Sequence, residues 1–167
     1  MTVEIELDEV VTNEQIETVA ELANIIWTEH YTPIIGKAQV EYMLNEFHSL
    51  DAIKEECEKQ SVHYYLIYNS EKIVGYAGIR LENSELFLSK IYVLSSERGN
   101  GIGRISIEKI KQSAKSNKIN NIYLTVNKEN TKAIAAYQKL GFLITGEICA
   151  DIGNGFFMDD YKMELEI

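Results

Sequence analysis

The residues Ile91-Tyr92-Val93 run into Arg98-Gly99-Asn100-Gly101-Ile102-Gly103, and apolar positions at Ile102, Ile105, Ile110 and Ala114 then mark one face of a helix. A strand, a glycine turn and a helix in direct succession leave few folds open. The chain must carry a β-α unit whose junction approaches something closely, because alternate glycines remove the Cβ atoms from that junction. Backbone N–H groups there can turn inward as an anion nest at the positive end of the helix. Arg98 adds a permanent cation beside them. Phosphate is the ligand such a junction suits; a tight turn with incidental glycines is the plainer alternative.

Two nucleotide motifs are excluded. No Lys-Ser or Lys-Thr follows the last glycine, so the turn is not a P-loop. Gly99, Gly101 and Gly103 space as G-x-G-x-G, where the dinucleotide fingerprint requires G-x-G-x-x-G. The next strand, Ile122 to Val126, ends in Asn127 and offers no acidic residue for a ribose.

A second segment, Asn127 to Phe142, contains Asn127, Asn130, Ala133 and Tyr137 in N-x-x-N-x-x-A-x-x-x-Y spacing and closes on Leu140-Gly141-Phe142. Taken with Arg98-x-x-Gly101-x-Gly103, it resembles the GNAT superfamily of acetyl-CoA-dependent N-acetyltransferases. The resemblance is closest from about residue 63 onward. It implies an α+β (mixed α/β) fold, with a central, mostly antiparallel sheet of about seven strands flanked by helices. It also implies a single domain over residues 1–167 and acetyl-CoA as co-substrate.

Periodicity along the chain gives the same order of elements. Val3 to Leu7 alternates as a strand does. Thr12 and Gln15 form a capping-box pattern ahead of a helix faced by Ile16, Val19, Ala23, Ile26 and Trp27. Pro33 and Gly36 predict a loop. Val40, Met43, Leu44 and Phe47 mark a second helix, and Leu50 to about Glu58 a third. Strands follow at His63–Tyr68, Lys72–Leu81 and Leu86–Leu94, then a helix, the strand Asn121–Val126, and a helix from Asn130 to Leu140. Two closing strands span Phe142–Ala150 and Phe156–Leu165.

What the resemblance implies for the site is specific. The turn Arg98, Gly99, Asn100, Gly101, Ile102, Gly103 and Arg104 would hold the pyrophosphate of coenzyme A, and Ile91, Tyr92 and Val93 would flank the pantetheine arm. A bulge in that strand would free an N–H to polarise the thioester carbonyl. Tyr137 falls where a tyrosine protonates the departing thiolate, although packing on the stripe with Ile134 and Leu140 would also explain it. Asn130 is expected to cap its helix and to touch the cofactor. Glu85 is the candidate base, with Glu82 second, and each reads equally as a solvated strand-end charge.

The acceptor would lie between the first helices and the last hairpin, where Trp27, Tyr31 and Asp159 suit an amine by cation–π contact and charge pairing. The loop Tyr31-Thr32-Pro33-Ile34-Ile35-Gly36 and the hairpin Met158-Asp159-Asp160-Tyr161 resemble those of GNAT members grouped with spermidine acetyltransferases. The expected reaction is acetyl transfer to a primary amine by direct attack in a ternary complex. The alternative is a non-catalytic coenzyme A sensor that kept the clamp and lost turnover. A homodimer is the expected assembly.

Composition narrows the function classes. A net charge of −10 argues against nucleic acid as a partner and is compatible with a cationic substrate. No apolar run is long enough to cross a membrane. The acidic N-terminus does not read as a signal peptide, and the two cysteines, Cys57 and Cys149, form no CxxC. A cytoplasmic protein is therefore expected. His30, His48 and His63 have no metal-ligand spacing, so no metal is expected.

Overall fold

A computed structural model describes residues 3–167. The elements run β1 (Ile5–Glu9), α1 (Asn13–Ile35), α2 (Lys37–Phe47), α3 (Leu50–Lys59), β2 (His63–Asn69), β3 (Lys72–Glu82) and β4 (Glu85–Val93). They continue through α4 (Ile102–Ser116), β5 (Asn121–Asn127), α5 (Thr131–Lys139), β6 (Leu143–Gly153) and β7 (Phe156–Glu166). The strands form one seven-stranded sheet in the order β1-β2-β3-β4-β5-β7-β6. All neighbours are antiparallel except β4 and β5. This is the mixed sheet between helices that the sequence led us to expect.

Strand alternation builds a core on each face of the sheet. Leu66 and Tyr76 face the cluster made with Val19, Ala23, Ile26 and Trp27 of α1 and Met43 of α2. Their chain neighbours Ile67 and Ala77 face the other cluster, with Ile102, Ile107 and Ile110 of α4 and Phe142 and Met163 beyond. The sheet is thus apolar on both faces where helices cover it, and β3 reads as a nearly continuous buried run.

The start of α1 follows the sequence pattern. The Thr12 hydroxyl accepts from the Gln15 N–H at 3.2 Å, and the Gln15 side chain accepts from the Thr12 N–H at 3.0 Å. Such a cap stabilises its helix by about 1 kcal/mol. The expected loop at Pro33 and Gly36 does not form. α1 continues through Pro33 to Ile35, and Gly36 alone joins it to α2. Proline removes one N–H and crowds only the turn before it. The residues after it stay free to be helical, and the Gly36 N–H closes onto the Thr32 carbonyl at 3.0 Å. Gly36 takes φ = 89°, which a residue with a Cβ adopts only under strain. Tyr31 therefore projects from a rigid helix.

The feature that positions the site lies at the middle of the sheet. β4 and β5 pair only at Glu85↔Asn121, Leu86↔Ile122 and Phe87↔Tyr123. Beyond those pairs the strands diverge, and β4 has no strand partner on its β5 side among the described residues. On its β3 side the register slips, with Gly78 opposite Lys90 and Ile79 opposite Leu88. Ser89 is the extra residue, and a bulge there bends the strand and increases its twist. The bulge expected in this strand is present at the mouth of the gap.

Candidate active site

Two clefts open into the gap between β4 and β5. The first has a volume of 360 Å³ and lies between β4, β5, the glycine turn and α5. Ile91, Tyr92, Val93, Arg98, Gly99, Gly101, Ile102, Gly103, Asn130 and Tyr137 all line it. Gly99 and Gly101 adopt φ of 85° and 74°. A Cβ on Gly99 or Gly103 would meet no protein atom within 4 Å, so these glycines border open space rather than packed chain. Gly101 caps α4 without any side chain closing the helix end. The first-turn N–H groups are left as donors for an anion. This junction fits the pyrophosphate of a coenzyme A molecule.

The remaining turn residues have other roles. Asn100 is exposed and its side-chain amide donates to the Glu97 carbonyl at 3.2 Å. Arg104 is exposed, and its guanidinium folds back over Gly101 on the flank of the turn. Neither lines the cleft. Arg98 is braced by its Nε donating to the Val93 carbonyl at 3.2 Å. His30 and Lys132, which the motif pattern did not single out, line the same cleft. Burial, then the Arg98 guanidinium, lowers the His30 pKa, so this ring is neutral at pH 7.

Asn130 corrects one expectation. It occupies the N-cap position of α5, but its side chain makes no capping bond. It is buried instead, with Nδ2 donating to the Tyr31 hydroxyl at 3.3 Å and Oδ1 lying 3.2 Å from His30 Nε2. With ψ = 65° the residue departs from the extended backbone of an ordinary N-cap. Its amide ties the loop before α5 to α1.

Tyr137 is half-buried and meets the ring of Phe142 edge-on at 5.7 Å. Burial, then Tyr31, raises its pKa. The phenol keeps its proton at pH 7, as a proton donor must. Tyr137 packs against the core and also borders the first cleft.

The second cleft, of 290 Å³, lies between α1, α2 and the β6–β7 hairpin. Trp27 and Tyr31 line it. Their rings stack at 4.3 Å, and Tyr92 meets them edge-on at 5.7 and 6.2 Å. His48, Gln39 and Lys90 contribute polar groups to the wall. Burial, then Lys90, holds the His48 pKa well below its ordinary value. Lys90 is itself paired with Glu56 at 2.9 Å, and Glu56 also accepts from the Tyr64 hydroxyl at 3.1 Å.

Asp159 does not enter this cleft. It is exposed on the opposite side of β7, where it accepts from Lys128 at 2.9 Å. Successive residues of a strand face opposite ways, so its neighbour Asp160 is the carboxylate on the cleft wall. Asp160 is 4 % exposed, and its Oδ1 has no hydrogen-bond partner among the described residues. Burial, reinforced by Asp159, pushes its pKa up to about 6.

The structure does not bring the expected bases to either cleft. Glu85 sits where β4 and β5 are still paired, accepting from the Asn121 amide at 3.1 Å. Glu82 accepts from the Tyr123 hydroxyl at 2.6 Å and from Arg80 at 2.8 Å. Those donors hold its pKa below the ordinary value. Both carboxylates belong to the closed end of the β4–β5 pair, and the chemistry needs its open end.

Comparison with known proteins agrees with this geometry. The family model described as the acetyltransferase (GNAT) family matches residues 19–142. The chain belongs to the GNAT acetyltransferase family. Among curated proteins, this GNAT chain is 28 % identical over 109 residues to the uncharacterised N-acetyltransferase YobR of Bacillus subtilis, covering 59 % of this chain and 44 % of that protein. It is 27 % identical over 103 residues to a spermine/spermidine N(1)-acetyltransferase of Bacillus subtilis, covering 54 % of this chain and 68 % of the relative. The chain thus spans less than half the length of YobR. Among solved structures, the PaiA N-acetyltransferase of Thermoplasma acidophilum in complex with coenzyme A superposes with a TM-score of 0.79. That match is 20 % identical and covers 100 % of both chains; at this identity it establishes the fold.

Proposed function

We propose that this chain transfers the acetyl group of acetyl-CoA to a primary amine by direct attack in a ternary complex, with a polyamine or another small amine as acceptor. One observation carries the reading. The two clefts meet at the open end of the β4–β5 pair, where Tyr31, Ser89, Lys90, Tyr92, Thr125 and Val126 border both. A thioester reaching along β4 from the first cleft and an amine entering from the second would face each other across that gap. Holding two reactants so is worth several orders of magnitude in rate.

The first cleft fits coenzyme A, which supplies the activated acetyl group when bound. The glycine turn and the α4 N-terminus receive its phosphates. β4, unpaired on its β5 side, receives the arm as an added strand partner through backbone hydrogen bonds. The Ser89 bulge takes backbone out of the β3 ladder beside the gap, a source of N–H donors for the carbonyl oxygen. Tyr137 gives its proton to the departing thiolate. Trp27, Tyr31 and Tyr92 offer aromatic faces to a cationic acceptor. Neither Cys57 nor Cys149 lines a cleft, which favours direct attack over an acetyl-enzyme.

The test is thiol release from acetyl-CoA, followed with Ellman's reagent across spermidine, spermine, lysine, aminoglycosides and short peptides. Release with the polyamines supports the reading in full. Release with another amine class keeps the reaction and replaces the acceptor. Calorimetric binding of acetyl-CoA without turnover on any amine would favour the coenzyme A sensor.

A further inference from the structure

We propose that Asp160 seats the ammonium group of the acceptor and takes its proton before attack. This rests on the acetyl-transfer reading above and deepens it by assigning the base that the motifs left open.

A buried carboxylate is ordinarily paired with a cation or saturated with hydrogen bonds. The lysines around Asp160 are committed elsewhere. Lys128 pairs with Asp159 and Glu147, Lys90 with Glu56, and Lys162 lies nearest Glu164. Oδ1 of Asp160 is left buried on the wall of a cleft, with no partner among the described residues. The missing partner is a donor that those residues do not supply. A cationic amine is that donor, and the aromatic wall opposite suits the same charge. The position is held firmly. Asp160 is flanked by Asn127 on β5 and Ile148 on β6, so its strand is paired on both sides.

The titratable groups facing this cleft are Tyr31 from α1, His48 at the end of α2, and Lys90 and Tyr92 from β4. Tyr31 and Tyr92 are raised, and His48 is held neutral by burial. Asp160 is the carboxylate of this wall, and burial brings its pKa up to about 6.

The proton account closes. An amine with a pKa near that of lysine, about 10.4, arrives protonated. Asp160 removes one proton, and the free nitrogen lone pair forms the C–N bond to the thioester carbon. The C–S bond breaks, and the leaving thiolate takes the Tyr137 proton. The second proton lost by nitrogen restores Tyr137, and Asp160 releases its own to solvent. One proton leaves per turnover.

The experiment is the pH profile of kcat/KM for wild type and Asp160→Asn, using the best amine of the panel. The expected loss at pH 7 is at least ~100-fold, shrinking towards about pH 9 as the free amine becomes abundant. Acetyl-CoA binding by calorimetry should stay within about twofold. Equal kcat/KM and equal profiles would overturn the role of Asp160 while the acetyltransferase reading stands. Failure of the wild type with every amine would instead remove that reading. A second measurement needs no variant. Inhibition of the wild type by the trimethylammonium analogue of that amine, a cation with no proton to lose, should weaken about tenfold from pH 7 to about pH 5 as Asp160 is neutralised. An inhibition constant flat across that range would overturn the assignment even if Asp160→Asn did not fold.

Discussion

A buried carboxylate whose Oδ1 has no partner among the described residues should leave a mark on stability, and Asp160→Asn measures it. The native state raises this carboxyl from an ordinary 3.8 to about 6. At about 1.4 kcal/mol per pH unit, that difference is worth about 3 kcal/mol. The sign follows from proton uptake. Between about pH 4 and 6 the native protein binds a proton that the unfolded chain has released, so stability falls as pH rises through this window. Above pH 6 the full cost of burying the charge is present, and below about pH 4 it is gone. Asparagine has nearly the same shape and does not titrate. Thermal unfolding of both proteins should give a difference in Tm, variant minus wild type, that is larger at pH 7.5 than at about pH 4. For a domain of this size, 1 kcal/mol moves Tm by about 2–4 °C. The expected change is therefore about 6–12 °C, with water in the cleft working towards the lower end. Carboxylates remote from Asp160 are shared by the two proteins and cancel. Equal differences at the two pH values would refute the premise that Asp160 carries a buried, uncompensated charge.

Three further outcomes test the site and its scaffold. Tyr137→Phe should lower kcat by about 100-fold in the thiol-release assay, with acetyl-CoA affinity by calorimetry unchanged. Gly103→Leu should hold Tm or raise it, since leucine favours a helix over glycine by up to about 1 kcal/mol and a Cβ there meets no protein atom. The same side chain should raise KM for acetyl-CoA at least tenfold, because the space it fills is the cleft. Gly75→Ala would set a Cβ 2.2 Å from the Tyr92 carbonyl oxygen, so β4 must move at the residue that borders both clefts. A loss of at least about 2 kcal/mol in urea unfolding is expected, and an unchanged midpoint would contradict the pairing of Gly75 with Val93 across β3 and β4.

Local chemistry made much of this protein legible. Thr12 and Gln15 announce the start of α1, and the capping box forms as spaced. Patterning gave the strands to within a residue or two, except that β6 runs three residues past the expected Ala150 to Gly153, because side-chain direction has a period of two wherever one face is buried. The glycine turn was legible for a similar reason: φ > 0 at Gly99 and Gly101 and an uncapped helix end are properties of short stretches of chain. Pro33 misled because a proline disturbs the turn before it and leaves the residues after it free to stay helical, so α1 runs on for two more residues to Ile35.

What the amino-acid order determined by itself was the set of elements, the sheet covered by helices and the glycine turn ahead of α4. What only the tertiary structure decided was which side chains share a cleft. Asp159 and Asp160 are equivalent in sequence until β7 is paired with β5 and β6, and that pairing turns one to Lys128 and the other to the second cleft. Glu85 is near the glycine turn in the chain, yet it lies at the closed end of a strand pair whose open end is the site. Asn130 stands at a cap position, but α1 presents Tyr31 and His30 to it, and those partners take its amide. Each of these outcomes depends on contacts between residues about 12 to 100 positions apart, from Ile148 opposite Asp160 to Asn130 beside His30. Short-range periodicity carries no information about such contacts, because they form only once the sheet has brought distant segments together.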